Sequence, residues 1–131
     1  MPRASMPLVK IHLRRGKTPE YLRSVADAIH EALVSQANVP ADDRFQILCE
    51  YGDDAIIAHP SYAGANRSRD LIIIEITLNL GRTLEIKKNL YADIAERLGK
   101  AVDVRPDDVM INLVEVAKEN WSFAKGICTY G

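Results

Sequence analysis

The feature that most constrains this chain is an internal repeat. Residues 10–50 align on 75–115 without a gap, at a constant shift of 65. Ile11 meets Ile76, Leu13 meets Leu78, Gly16 meets Gly81, Thr18 meets Thr83 and Glu20 meets Glu85. Farther on, Ile29 meets Ile94, Leu33 meets Leu98, Asp42-Asp43 meets Asp107-Asp108, and Glu50 meets Glu115. Shared punctuation in "GKT" and "GRT" makes this a duplicated supersecondary unit.

Each unit reads strand, helix, strand. "LVKIHL" alternates Val9, Ile11 and Leu13 on one face, the period of two of a strand. "GKTPE" then supplies a turn glycine, Thr18 as N-cap, Pro19 at the first helical position and Glu20 in the first turn. Leu22, Val25, Ala26, Ile29 and Leu33 form one helical stripe. "RFQILCEY" follows as a second strand. The second half repeats the plan: strand "LIIIEITL", a helix with Leu90, Tyr91, Ile94 and Leu98 inward, and strand "DVMINLVEV".

A helix between two strands of one sheet makes a right-handed parallel crossover. Two such units predict an α/β (more narrowly α+β) fold: duplicated β-α-β units, a four-stranded sheet and two helices on one face. We expect a single domain over 7–131, with units near 7–51 and 71–116 joined by the loop 52–70. Residues 1–6 read as an extension or a mis-assigned start. "LIIIEITL" is apolar on both faces. At roughly 25 cal/mol per Å² of apolar surface, leaving its second face bare costs several kcal/mol, so another subunit is expected to cover it, the alternative being a cover made by the loop and the tail after Val116.

Composition excludes whole classes. The 131 residues are 47% apolar and 27% charged with a net charge of −1, which fits a globular chain rather than a nucleic-acid binder. Cys49 and Cys128 are too few for a disulfide framework and fit a reducing cytoplasm. No signal-like or membrane-spanning apolar run is present.

Familiar catalytic signatures are missing. "GKT" lacks the glycine five residues earlier that a phosphate loop needs; Ile11 stands there. His12, His30 and His59 have no metal-ligand spacing. His12, on a strand, and His30, on a helix, read as structural, with His30 a second-rank candidate. There remain Lys17, Asp43, Arg82 and the tail "NWSF" with Trp121 and Phe123. Lys17 and Arg82 are repeat equivalents, read either as solvated cations at helix starts or as binders of a carboxylate. Asp43 reads either as a turn cap or as a site acid, and the two aromatics as core or pocket.

"PLVKIHLRRGKT", the duplicated plan, "VPADDRFQ" and "NWSFAKG" together resemble the tautomerase superfamily, in particular its long-chain branch related to malonate semialdehyde decarboxylase. The resemblance runs from Pro7 to about Gly126. It implies a trimer of duplicated units, and no metal or organic cofactor. It also implies that an N-terminal proline acts as general acid or base. By register that proline is Pro7; its counterpart in the second half is the internal Ile72.

A proline nitrogen is basic only at a chain start, since elsewhere it is a tertiary amide. The sequence holds Met-Pro twice, at Met1-Pro2 and Met6-Pro7. The resemblance places the start at Met6. Carried over by position, Asp43 matches the aspartate that positions or activates water in the decarboxylase branch, and Trp121 the branch's pocket tryptophan. Lys17 matches a substrate-binding arginine of the short members. The decarboxylase pattern has two arginines flanking a proline where this chain reads "NLGRT", with Asn79 at the first place, Gly81 at the second and Arg82 displaced by one.

The expected function is therefore cofactor-independent keto–enol tautomerisation, an isomerase reaction, of a small 2-oxo or 2-hydroxy-enoic acid. Pro7, Asp43 and Arg82 would be catalytic, with Lys17, Trp121 and Phe123 binding substrate. The rivals are a malonate semialdehyde decarboxylase or hydratase, and a non-catalytic trimer with its proline blocked. The expected partner is a small carboxylate, with neither nucleic acid nor membrane, and the expected location is cytoplasmic.

Overall fold

In the computed structural model, which describes residues 7–130, six main elements alternate as expected. They are β1 (Leu8–Arg14), α1 (Pro19–Gln36), β2 (Phe45–Tyr51), β3 (Ile72–Asn79), α2 (Leu84–Val102) and β4 (Val109–Val116). The strands form one sheet in the order β2-β1-β3-β4. β1 runs parallel to β2, and β3 parallel to β4, while the central pair β1–β3 is antiparallel.

The register shows that the repeat is also a symmetry. Leu8 pairs with Phe45, and 65 residues on, Ile73 pairs with Met110. In the central pair, Leu8 faces Thr77 and His12 faces Ile73, and the same shift converts the first pairing into the second. The halves are thus related by a local twofold axis through the middle of the sheet.

Local chemistry repeats as well. Gly16 and Gly81 have φ of 117° and 129°, a turn conformation open to glycine and strained for other residues. Thr18 and Thr83 then cap α1 and α2, their hydroxyls accepting from Tyr21 N at 3.1 Å and Ile86 N at 3.2 Å.

Both helices pack on one sheet face. Val9, Ile11, Leu13, Ile72, Ile74, Ile76 and Leu78 from the central strands meet Val25, Ile29 and Leu33 of α1 and Leu90, Ile94 and Leu98 of α2. Tyr91, expected inward, lies at the surface, 37% exposed. Leu90, Ile94 and Leu98 are spaced by four and already fill the stripe, so the next residue turns about 100° away. On the opposite face Phe45, Ile47 and Met110 are each 47% exposed. At its middle His12 bridges the Tyr51 hydroxyl and the Glu75 carboxylate, a structural role for that ring. Among the described residues, no helix is long and apolar enough to cross a membrane.

Candidate active site

Because the central pair is antiparallel, β1 and β2 begin where β3 and β4 end. That edge collects most of the candidate residues. Pro7 directly precedes β1 and is buried. The register extended by one residue sets it beside Leu78, next to Asn79. Asp43 stands two residues before β2 and is 7% exposed. Its loop is held by His30, whose Nε2 bonds the Ala41 carbonyl at 2.8 Å. A carbonyl only accepts, so this nitrogen carries the proton. His30 thus anchors the chain two residues before Asp43.

Arg82 reaches the same edge from the turn before α2. Its Nε and Nη2 donate to the Ala37 carbonyl at 3.2 and 3.0 Å, and Nη1 donates to the Asn79 carbonyl at 3.2 Å. Three of the five guanidinium N–H groups are thereby used and two remain. No carboxylate lies within ion-pair distance of Arg82 among the described residues. Burial holds its pKa below the ordinary arginine value, against a weaker upward pull from Glu115. A guanidinium is not deprotonated in proteins, so the group remains a cation at any working pH.

The C-terminal tail crosses this edge. After β4 a short turn, Lys118–Asn120, leads to Trp121, whose Nε1 donates to Asn79 Oδ1 at 2.6 Å. An indole nitrogen only donates, which fixes the Asn79 amide: its Nδ2 donates to the Tyr130 hydroxyl at 3.2 Å. Trp121 stacks on Phe123 with centroids 5.0 Å apart, and Phe123 on Phe45 at 5.9 Å. Tyr130 meets Phe123 edge-on at 6.4 Å. Thr129 closes the tail loop, its N–H donating to the Trp121 carbonyl at 3.2 Å and its hydroxyl accepting from Phe123 N at 3.0 Å.

Asn79 is the residue that sequence reasoning undervalued. It is fully buried, and Arg82 and Trp121 both dock on it. Its signals were a polar residue at the end of an apolar strand and its place at the first arginine of the decarboxylase pattern. Tyr130 and the pocket-side position of Phe45 carried none.

Lys17 lies elsewhere. It follows β1, about 20 Å along the strand from Pro7 at ~3.3 Å per residue. Its ammonium bonds Asp70 at 2.8 Å and sits over the Tyr21 ring, 4.7 Å from the centroid. The structure thus brings together Pro7, Asp43, Arg82, Trp121 and Phe123, but within one chain it does not bring Lys17 to them.

A buried proline, a carbonyl-anchored arginine without a carboxylate and a tryptophan wall at one sheet edge suit a small anion. A family model described as tautomerase enzyme matches residues 43–124, and a second of the same description matches 7–66. The chain belongs to the tautomerase family.

The chain is 40% identical over 121 residues to the probable tautomerase YusQ of Bacillus subtilis (strain 168), covering 92% of this chain and 95% of that protein. A second probable tautomerase of that organism, YrdN, is 31% identical, covering 92% and 93%. Among solved structures the fold is similar to FG41 malonate semialdehyde decarboxylase inhibited by 3-bromopropiolate. That match has a TM-score of 0.87 and 39% identity and covers 94% of this chain and 93% of that one. A symmetric trimer of fused 4-OT, at TM-score 0.76 and 24% identity over 92% and 94%, shares the tautomerase fold.

Proposed function

We propose that this tautomerase-family chain is a cytoplasmic, cofactor-independent keto–enol tautomerase of a small 2-hydroxy-enoic or 2-oxo acid, with Pro7 as its base. One observation carries the reading. Arg82 and Trp121 converge on Asn79 beside the buried Pro7, so that a carboxylate bound to Arg82 lies against the aromatic wall and near the proline. An α-amino group titrates near neutrality. Burial and a neighbouring guanidinium both disfavour its charged form, which leaves it a base at working pH.

The proton balance is simple. The neutral proline nitrogen takes the enol O–H proton, and the electron pair moves to make the ketone and a carbanionic carbon. The prolinium returns the proton to that carbon and the amine is regenerated. Arg82 stabilises the oxygen charge between the two steps. Asp43 borders the pocket, and Trp121 and Phe123 wall it. Lys17 is left out of this site.

The chemistry requires Pro7 to be the first residue of the working protein. That follows from a start at Met6 and removal of that methionine, and the family match beginning at residue 7 supports it. Met1-Pro2 lies outside the described residues. A start at Met1 would leave Pro7 an amide and the fold a non-catalytic one. The apolar sheet face bearing Phe45, Ile47 and Met110 supports assembly as a homotrimer.

The test measures ketonisation of 2-hydroxymuconate and phenylenolpyruvate by the native protein and by Pro7→Ala, with intact mass to identify the first residue. A loss of roughly 10²–10⁴ in kcat/KM is expected for the variant. Equal rates would sink the proline mechanism. The likeness to malonate semialdehyde decarboxylase, together with buried Asp43, supports a second reading as a decarboxylase. Release of carbon dioxide from malonate semialdehyde, lost in Asp43→Asn, would favour it.

A further inference from the structure

Resting on the tautomerase reading, we infer that the substrate carries one carboxylate and a flat apolar substituent, as in an aryl-substituted enolpyruvate, and is not a dicarboxylate.

Within one chain the charges at this edge allow one anion. Arg44 is tied to Asp27 at 2.6 Å, a carboxylate it shares with the exposed Arg23 at 3.1 Å, and Lys87 is paired with Glu115 at 2.8 Å. Among the described residues this leaves Arg82 as the half-buried cation of the edge without a carboxylate partner, with two N–H groups to offer. Lys118 is exposed, its ammonium over the Tyr130 ring at 5.9 Å, so a carboxylate there gains only a screened surface contact. On β3 the residue facing the tail is Asn79. Its amide is neutral and already engaged at both ends, by Trp121 and Tyr130.

The remaining surroundings disfavour a second charge and favour a ring. Trp121, Phe123 and Phe45 form a continuous stack, with interplanar angles of 12° and 25°. Aromatic faces carry negative potential, which repels a carboxylate and accepts another flat apolar group. A dicarboxylate would therefore leave one carboxylate dehydrated without a cation. An aryl monocarboxylate would place its anion on Arg82 and its ring against the indole.

Trp121 is the sole tryptophan, so its fluorescence reports on the wall directly. The wild-type protein is titrated with two unreactive acids, 3-phenylpropanoate and adipate. We expect 3-phenylpropanoate to bind at least tenfold more tightly. Arg82→Gln should weaken it at least tenfold, and Lys118→Met should leave the ratio of the two within twofold. Asn79→Arg, checked for a cooperative thermal transition, should narrow the ratio at least fivefold. Equal binding, a preference for adipate, or no binding of either by the wild type overturns the inference. Failure of the tautomerase reading looks different: the aryl acid binds tightly but neither enol is converted. Conversion of 2-hydroxymuconate and phenylenolpyruvate with equal kcat/KM keeps that reading and removes this one.

Discussion

The two ends of the sheet began as copies, and a shift of 65 still superposes their parts in sequence. Pro7 corresponds to Ile72, Asp43 to Asp108, Asn79 to Arg14, Arg82 to Lys17 and Trp121 to Ile56. Even the turn after each outer strand recurs, Asp53–Ala55 matching Lys118–Asn120. Yet at the Ile72 end the polar counterparts Asp108, Arg14 and Lys17 are each engaged by the chain itself. Asp108 accepts from the Ser68 N–H and hydroxyl, both at 2.6 Å, and from Arg105 at 3.3 Å. Arg14 donates to the carbonyls of Asp53, Ile56 and Arg69, and Lys17 is tied to Asp70. The loop 52–70 has filled this end with internal partners. At the Pro7 end the tail builds a wall instead, and Arg82 retains donors. One duplicated frame thus yields a sealed structural end and an end with unspent binding capacity.

After Pro7→Ala, replacing the guanidinium at the open end gives the largest expected effect. Arg82→Gln should lower kcat/KM for the enol substrate by about 10²–10³, the range for removing one donor to a developing oxyanion. KM should rise as the carboxylate anchor is lost. Steady-state kinetics beside a urea melt separate this from unfolding, since Arg82 also ties Ala37 to Asn79. A change under threefold would mean that the two ends differ in packing alone.

At the sealed end the expected loss is of stability. Burial pushes the Asp108 carboxyl up, but the hydrogen bonds from Ser68 and Arg105 outweigh it and hold the group below the ordinary carboxylate value. A folded pKa below the unfolded one means stability present above the unfolded value of 3.8 and lost as pH falls through the folded one. Asp108→Asn should therefore cost about 1–3 kcal/mol at neutral pH, through broken bonds to buried partners. It should also flatten the fall in stability below pH ~4. Urea midpoints across pH check both, and activity per folded molecule should be unchanged.

How legible this was depended on whether a contact followed from periodicity. Strands, helices, caps and turn glycines were readable because Thr18 and Thr83, Gly16 and Gly81 mark the same local geometry twice. Tyr91 misled because a stripe of leucines and isoleucines at spacing four leaves no room for its neighbour. The grouping of Lys17 with Arg82 fails within the chain for a topological reason: a local twofold axis sends repeat equivalents to opposite ends of the sheet. The Asn79 hub was hidden because the tail has no period. Its Trp121 contact spans 42 residues and rests on one hydrogen bond.

The smallest effect is expected where the sequence pointed to function and the structure shows an internal partner. Asp70 holds the Lys17 ammonium above the ordinary lysine pKa, so Lys17→Gln removes a full positive charge at any assay pH. That charge is already matched by Asp70, which is 51% exposed, and a solvated pair of this kind contributes about 0.2–1 kcal/mol. Stability should fall by no more than that, and kcat/KM should stay within twofold. A tenfold loss of kcat/KM without loss of stability would put Lys17 at a neighbouring chain's pocket. The ends of the sheet would then cooperate across a subunit boundary, and the contrast between them would hold only within a single chain.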